Sequence, residues 1–215
     1  MRRLYGCARM CGVTDPVPLP PLPAPLTWDL EPASWSLDDP PALTITAPPR
    51  SDLFVDPAGA EAQAGAPRLL GPVEGDFQLS ARVRCTFSGT FDAGALLLWA
   101  GERTWAKLAF EVSPDGEPMV VSVVTDGRAS DDANAFVVTD EAVWLRLSRR
   151  GRACALHARL EGGEGWRFVR HFALEAPAAV RAGFLAQSPT GEGATARFDA
   201  IAFASEGVAD LRSGA

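Results

Sequence analysis

The sequence has little of what marks membrane-spanning, disulfide-rich or secreted proteins. Its 215 residues include only four cysteines, and their spacing implies no disulfide framework. No stretch approaches the roughly 18 consecutive apolar residues that a transmembrane helix requires. The segment Met1–Met10 carries arginines but no following apolar run, so it does not resemble a signal peptide. We therefore expect a soluble, cytoplasmic protein.

Positive charge and catalytic signatures are also scarce. The formal net charge is −7, which disfavours binding to nucleic acid and to anionic membrane surfaces. We expect neither as a partner. The only histidines, His157 and His171, adjoin no nucleophile elbow, and His157 alternates with core positions, which indicates a structural role. No glycine-rich phosphate loop follows a strand and opens a helix.

Short strands separated by turns are what the sequence does contain. Its 18 prolines and 20 glycines punctuate many short elements, as in sandwiches and barrels. In the segment 76–87 apolar residues alternate with polar ones such as Arg82 and Arg84, which predicts a strand with one face in the core. No long helix is indicated. The predicted fold class is an all-β sandwich of two antiparallel sheets.

The predicted domain is flanked by two irregular segments. Residues 1–25 form a disordered, proline-rich leader, residues 26–205 the β-sandwich domain and residues 206–215 a flexible tail. The run Pro16–Pro25 favours polyproline II, either as a stiff linker or arm or as a ligand for an SH3-like partner. Within the leader, Cys7 and Cys11 lack a second pair or a nearby histidine, which makes a weak zinc pattern. We expect no metal.

The run from Trp105 to Val112 is the most informative segment. Alternation in a strand places four apolar residues on one face and Trp105, Lys107, Ala109 and Glu111 on the other. An aromatic ring, an ammonium and a carboxylate together indicate a binding surface rather than a second hydrophobic layer. The alternative is a structural ion-pair network with Arg146, which contributes little if exposed, about 0–1 kcal/mol.

Two nearby segments are expected to be irregular. Residues 52–66 are predicted to form a loop. Ser130, Asp131 and Asp132 are predicted to lie in a second loop, at the rim of a ligand groove that this binding surface would form. With Asn134 they offer oxygen ligands for Ca²⁺, although a turn stabilised by side chain–backbone hydrogen bonds accounts for the same residues. No other cofactor is expected.

A series of motifs in a distinctive order resembles one known family, DUF1349, over about residues 26–205. Its fungal members include the regulation-of-enolase protein. The motifs are Gly75-Asp76-Phe77, Phe91-Asp92-Ala93-Gly94, Trp105 to Glu111, Val121 to Thr125, Ser130-Asp131-Asp132, Trp144-Leu145-Arg146, Trp166 to Arg170, and Gly183 to Pro189. One departure is the turn Leu160–Trp166, where family members often carry Ser-x-Asp-Gly before the tryptophan.

The resemblance implies a concanavalin A-like jelly roll with one convex and one concave sheet. If the strands concerned are neighbours, their polar residues converge on the concave sheet; for Trp144 alone, core packing is the favoured alternative. The expected ligand-binding residues are Trp105, Lys107, Glu111, Ser122, Trp144, Arg146 and Gln187.

Three functions follow from these observations. The favoured one is a non-catalytic module that binds a saccharide or another small polar metabolite. The second is a protein-interaction module that regulates a metabolic enzyme such as enolase. The third is a glycoside-acting enzyme, which needs two carboxyl groups. The strand supplies only Glu111, so a second acid would have to come from Asp131 or Asp132, and we expect no catalytic residue.

Overall fold

A computed structural model describes residues 15–59, 62–174 and 179–215. These residues form 16 strands and no helix, and every strand pair is antiparallel. Two seven-stranded sheets and one two-stranded ladder account for all of them. The predicted two-sheet β-sandwich is therefore confirmed.

The first sheet, called here the β9 sheet, contains the Trp105 strand next to its central strand. Its strands in spatial order are β1 (Thr27–Leu30), β6 (Arg68–Pro72), β15 (Arg181–Gln187), β8 (Ala93–Gly101), β9 (Thr104–Val112), β10 (Pro118–Asp126) and β11 (Ser130–Val137).

The second sheet, called here the β12 sheet, packs against it. Its strands in spatial order are β14 (Arg167–Ala173), β13 (Ala153–Leu160), β12 (Val143–Arg150), β7 (Phe77–Thr86), β16 (Ala194–Ala204), β3 (Ala42–Ala47) and β2 (Ser34–Asp38). The remaining ladder joins β4 (Leu53–Phe54) to β5 (Gln63–Ala64).

The main core lies between the two sheets, where the period-2 patterns predicted it. Leu108 and Phe110 of β9 belong to the same buried cluster as Val83 of β7. Phe184 and Phe198 belong to opposite sheets, and their ring centroids are 5.0 Å apart. Burial of such side chains contributes about 1.5–3 kcal/mol each.

The part of the predicted leader that the structure describes belongs to this core. Val17 and Leu26 pair in an antiparallel bridge, and Val17 and Leu19 are buried in the main cluster. The predicted boundary at residue 26 is therefore too late, because alternate apolar residues of the proline-rich run reach the sandwich. Cys7 and Cys11 lie outside the described residues.

Two further regions differ from simple expectation. Ser130 to Asn134, predicted as a loop, instead begins the edge strand β11, because these residues pair with Val121 to Thr125 of β10. The tail 206–215 lies on the outer face of the β12 sheet, where Val208 is buried. Within the described ranges no helix is long and apolar enough to cross a membrane.

Candidate functional site

The outer face of the β9 sheet carries a second, smaller apolar cluster. Trp99, Trp105 and Val121 belong to it, together with Leu53 and Ala66 from the segment 51–66. Its described residues, 51–59 and 62–66, fold over the sheet face, so Trp105 is 0% exposed. The expectation of an open surface without a second hydrophobic layer is therefore wrong. The sequence of 51–66 gave no signal that it would cover this face.

Hydrogen bonds at several points tie the covering segment to the sheet. Ser51 exchanges backbone bonds of 3.1 and 2.9 Å with Ser188. The Val55 carbonyl accepts a 2.7 Å hydrogen bond from the Ser130 backbone N–H. The Val55 N–H donates a 2.9 Å hydrogen bond to the Ser130 hydroxyl. Ser130, predicted as a rim residue, is thus a buried anchor for the segment, and its hydroxyl also bonds Thr125 at 2.8 Å.

Lys107, the only lysine of the sequence, is fixed by three groups on this face. Its Nζ donates to the Leu53 carbonyl at 2.9 Å and to Gln187 Oε1 at 2.8 Å. The nearest carboxylate oxygen, on Asp52, is 4.0 Å away. The ammonium also lies 5.8 Å from the Trp105 ring centroid. Lys107 is therefore a buried, fully engaged cation that anchors the covering segment.

Glu111 lies in the same polar network but is weakly paired. Gln187 Nε2 donates to its Oε2 at a long 3.4 Å and to the Phe91 carbonyl at 3.0 Å. Burial raises the pKa of Glu111 to about 7; the charge of Lys107 opposes this shift, and Asp52 and Asp132 add to it. A carboxyl group with this pKa both accepts and donates hydrogen bonds near neutral pH.

These side chains border a cavity of about 300 Å³, called here the β9 pocket. Polar groups and apolar walls alternate around it. Its lining residues are Asp52, Phe54, Phe91, Lys107, Glu111, Ser113, Pro114, Val121, Val123, Asp132, Asn134 and Gln187.

Phe91 is the most exposed aromatic residue of this lining, at 40%. Its backbone adopts a φ of 68°, which is rare for a bulky residue. The preceding turn is held by buried Asp92, whose Oδ2 accepts from the N–H groups of Ser88 at 2.7 Å and Gly89 at 2.8 Å. Sequence reasoning missed Phe91 as a site residue because only the fold of this turn brings residue 91 to the pocket.

Four of the predicted site residues belong to this region: Trp105, Lys107, Glu111 and Gln187. Asp132 of the predicted rim also lines the pocket, whereas Asp131 does not and instead pairs with Arg170 at 2.9 Å. Asp52, Phe54 and Asn134 complete the lining, and none of them was predicted as a ligand-binding residue.

Three predicted residues do not share this face. Ser122 stands directly opposite Leu108, and opposed residues share a face, so Ser122 points into the main core. Trp144 and Arg146 belong to β12 in the other sheet. The prediction that they converge with Glu111 is wrong, because strand order, which decides neighbourhood, is not readable from one sequence.

Metal coordination gains no support from the described residues. They contain no group of three or more histidine, cysteine, aspartate or glutamate side chains able to hold a metal ion. The predicted oxygen ligands of the Ser130 region alternate along an edge strand, so Asp131 and Asp132 point to opposite faces.

The sequence of this chain can be compared with those of known protein families. Residues 28–206 match the family described as protein of unknown function, DUF1349. The chain belongs to the DUF1349 family. No curated protein sequence matches it significantly.

Solved structures share the fold of this DUF1349 chain. A functionally unknown protein from Saccharomyces cerevisiae is 20% identical with a TM-score of 0.75, covering 83% of this chain and 95% of its own. A xylan β-1,4-xylosidase from Bacillus halodurans C-125 is 14% identical with a TM-score of 0.62, covering 79% of this chain and 34% of its own. An alginate lyase from Klebsiella pneumoniae is 13% identical with a TM-score of 0.50; the match covers 79% of this chain and 83% of the lyase.

These likenesses establish the concanavalin A-like sandwich that the resemblance implied. At such low identity they carry the fold alone, since one fold hosts many functions. The chain spans about a third of the xylosidase, at 34%. The expected link to enolase regulation stays a prediction.

Proposed function

We propose that this protein binds a small, uncharged saccharide in the β9 pocket and does not transform it. The observation that carries the proposal is the pocket itself, where buried Lys107, Glu111 and Gln187 border the same cavity as Phe54 and Phe91. A few placed polar groups beside flat apolar walls are typical of specific small-ligand sites.

The size and charge of the pocket narrow the ligand class. Its volume of about 300 Å³ is at the lower end of the range for small-molecule sites, which suits one or two sugar rings. Its lining carries the carboxyl groups of Asp52, Glu111 and Asp132 against the single ammonium of Lys107. This balance disfavours phosphorylated or acidic sugars and favours a ligand with neutral hydroxyl groups.

The lining supplies both kinds of contact that a sugar requires. Phe91 presents an exposed ring on which the apolar face of a sugar can stack. Carboxyl and amide oxygens of Glu111, Asp132 and Asn134 accept hydrogen bonds from hydroxyl groups. Two of the structural relatives, the xylosidase and the alginate lyase, are named for polysaccharide substrates, which is consistent with a sugar ligand.

A thermal-shift and tryptophan-fluorescence titration tests the proposal. The probes are xylose, glucose, xylobiose and glucose 6-phosphate, each with and without Ca²⁺. We expect a neutral sugar to stabilise the wild type and Phe91→Ala to weaken its binding at least tenfold. Phe168→Ala is the matched control, because Phe168 is equally exposed, at 43%, but belongs to the other sheet.

Two outcomes would contradict the proposal. One is the absence of a response to any neutral sugar. The other is an equal loss of binding in Phe91→Ala and Phe168→Ala. A response to glucose 6-phosphate alone that Phe91→Ala weakens and Phe168→Ala does not would overturn the charge argument. If no sugar produces a response, the alternative of a protein partner, such as the glycolytic enzyme enolase, becomes the favoured one.

One observation favours a second candidate, action on a glycosidic bond. A carboxyl group with a raised pKa is what a general acid requires, and burial raises the pKa of Glu111 to about 7. Asp52 and Asp132 place further carboxyl groups on the same cavity, although β9 itself supplies only one. Release of reducing sugar from xylan and its loss in Glu111→Gln would support this candidate; binding without release would support the module.

A further inference from the structure

Arg146 is a buried cation without a counterion. Its side chain lies on the outer face of the β12 sheet, where the residue is only 7% exposed, and no carboxylate of the described residues forms an ion pair with it. Its Nη2 donates to the Gly214 carbonyl at 2.7 Å and its Nη1 makes a long 3.5 Å hydrogen bond to Gln78 Oε1, whereas its Nε has no partner. Burying a charge in this way is costly unless something compensates it.

Two further buried polar side chains adjoin Arg146. His157 stands directly opposite it on β13, and Ser148 lies two residues along β12, on the same face. Both are fully buried. The Ser148 hydroxyl has no hydrogen-bond partner, and the ring nitrogens of His157 close no hydrogen bond of good geometry, although the backbone of Leu211 and Arg212 lies close enough to act on the ring. Three donors of this kind, grouped and poorly satisfied, are rare in native interiors.

Aromatic side chains border the same place. The Arg146 guanidinium lies 4.4 Å from the Trp166 ring centroid. Arg159 lies 5.3 Å from the same ring and 4.6 Å from the Trp144 ring. The region therefore combines two guanidinium groups, a histidine and tryptophan walls, and its electrostatic character is opposite to that of the β9 pocket.

The chain's own tail covers these groups. Residues 206–215 run over the face, with Arg150 donating to the Ala209 carbonyl at 2.7 Å. Gly214 sits so close that a Cβ atom there would collide with Arg146 Nη2 and lie 3.0 Å from the His157 ring. The backbone at Leu211 and Arg212 also approaches His157 and opposes the lowering of its pKa, to about 4, which burial and the Arg146 charge cause.

We propose that Arg146, His157 and Ser148 form a second ligand site, for a small carboxylate or phosphate anion, which the tail 206–215 covers until an anion displaces it. The carbonyl of Gly214 now faces the guanidinium where an anion oxygen would bind. An anion would pair with Arg146, accept hydrogen bonds from the neighbouring donors and displace the tail. This inference does not depend on the sugar pocket, which is on the other sheet.

Trypsin cleavage after Arg212 reports displacement of the tail. Intact-mass spectrometry follows loss of residues 213–215 from the 215-residue chain in sodium phosphate, sodium glucuronate, sodium chloride and xylose. The three salts are matched in ionic strength, and a reporter peptide in each tube corrects for salt effects on trypsin. We expect phosphate or glucuronate to speed cleavage at least threefold relative to chloride, and xylose to have no effect. Which salt acts decides between the phosphate and carboxylate classes.

Substitutions separate the site from the cover. Arg146→Met should abolish the anion effect while keeping the fold, since replacing an unpaired buried charge with an apolar side chain does not require new polar partners. Gly214→Ala should release the tail, raising cleavage without anion and tightening phosphate or glucuronate binding measured by tryptophan fluorescence. Gly162→Ala is the control, because Gly162 also has a positive φ, 67°, but has open space around it.

The proposal fails if phosphate and glucuronate leave cleavage and fluorescence unchanged in both the wild type and Gly214→Ala. It also fails if the anion effect persists undiminished in Arg146→Met and in Arg146→Lys. The xylose titration of the β9 pocket is scored separately, so failure of either site is distinguishable from failure of the other.

Discussion

The Lys107 ammonium donates a 2.8 Å hydrogen bond to Gln187 Oε1 across an intervening strand, because β8 lies between β9 and β15. The same amide uses its nitrogen to reach the Phe91 carbonyl and Glu111. Gln187 is therefore the residue that fixes the cation, the carboxyl group and the aromatic turn of the β9 pocket relative to one another.

Replacing this amide should destabilise the protein. Gln187→Leu leaves the buried Lys107 ammonium and the Phe91 carbonyl each short of a partner, and an unsatisfied buried group costs about 1–3 kcal/mol. We expect a loss of that size in the free energy of unfolding, measured by urea denaturation. Gln63→Leu, at an exposed position, is the control and should change stability by less than about 0.5 kcal/mol. Equal effects would show that Gln187 organises nothing.

The sequence predicted the strands and their two faces better than the neighbours of each strand. Alternation correctly placed Leu108 and Phe110 in the core and Lys107 and Glu111 on the opposite face, because side-chain direction in a strand is a local property. The pairing of β9 with β8 and β10, and the position of β12 in the other sheet, are long-range properties. Arg146 was for that reason assigned to the wrong surface.

Covering segments explain the other errors at the site. The burial of Trp105 depends on Leu53 and Ala66, which lie about 40–50 positions earlier in the chain. A loop's composition does not state which surface it will contact, and its conformation here follows from the hydrogen bonds to Lys107 and Ser130. Asp52 and Phe54 of this segment line the pocket together with Glu111.

Because the pKa of Glu111 is raised in the folded protein, the free energy of unfolding should decrease as the pH rises through the acidic range. The folded-state pKa is about 7 against an ordinary 4.5, so between these values the folded protein binds more protons than the unfolded chain. Ionisation of Glu111 therefore destabilises the fold as pH rises from about 4.5 to 7, by about 3 kcal/mol in total. Below pH 4.5 this effect vanishes.

Glu111→Gln tests that sign, since the amide has similar shape but does not ionise. The variant should gain stability relative to the wild type on going from pH 5 to pH 8, measured by urea unfolding at both values. Glu102→Gln, on the exposed turn after β8, is the control and should show no such gain. A stability difference between Glu111→Gln and the wild type that does not change with pH would contradict the buried, weakly paired carboxyl group.

Close approach of two strands explains why residue 183 is glycine. A Cβ atom on Gly183 would fall well inside van der Waals contact with the Leu69 carbonyl oxygen of the neighbouring strand. Gly183→Ala should cost about 1–3 kcal/mol, the range for overpacking of well-packed sites, and lower the melting temperature. Gly65→Ala, with nothing within 4 Å of its Cβ, should be neutral or slightly stabilising. The two variants reversing that order would refute the steric argument.

The conformation of Phe91 makes a final pair of variants informative. Its φ of 68° costs a residue with a Cβ atom about 1–2 kcal/mol, and only glycine avoids this cost. Phe91→Gly should therefore be more stable than Phe91→Ala by about 1 kcal/mol in urea unfolding, although both remove the same ring.

Sugar binding should behave differently from stability in this pair. If the ring is the stacking surface of the β9 pocket, Phe91→Gly and Phe91→Ala lose affinity to the same extent, and Phe91→Tyr, which keeps the ring, retains it. The strained backbone would then be the cost of aiming an aromatic side chain at a ligand, as strain at functional sites commonly is. Full affinity in Phe91→Gly, the better-folded variant, would show that the strain serves the turn of Asp92 and not the pocket.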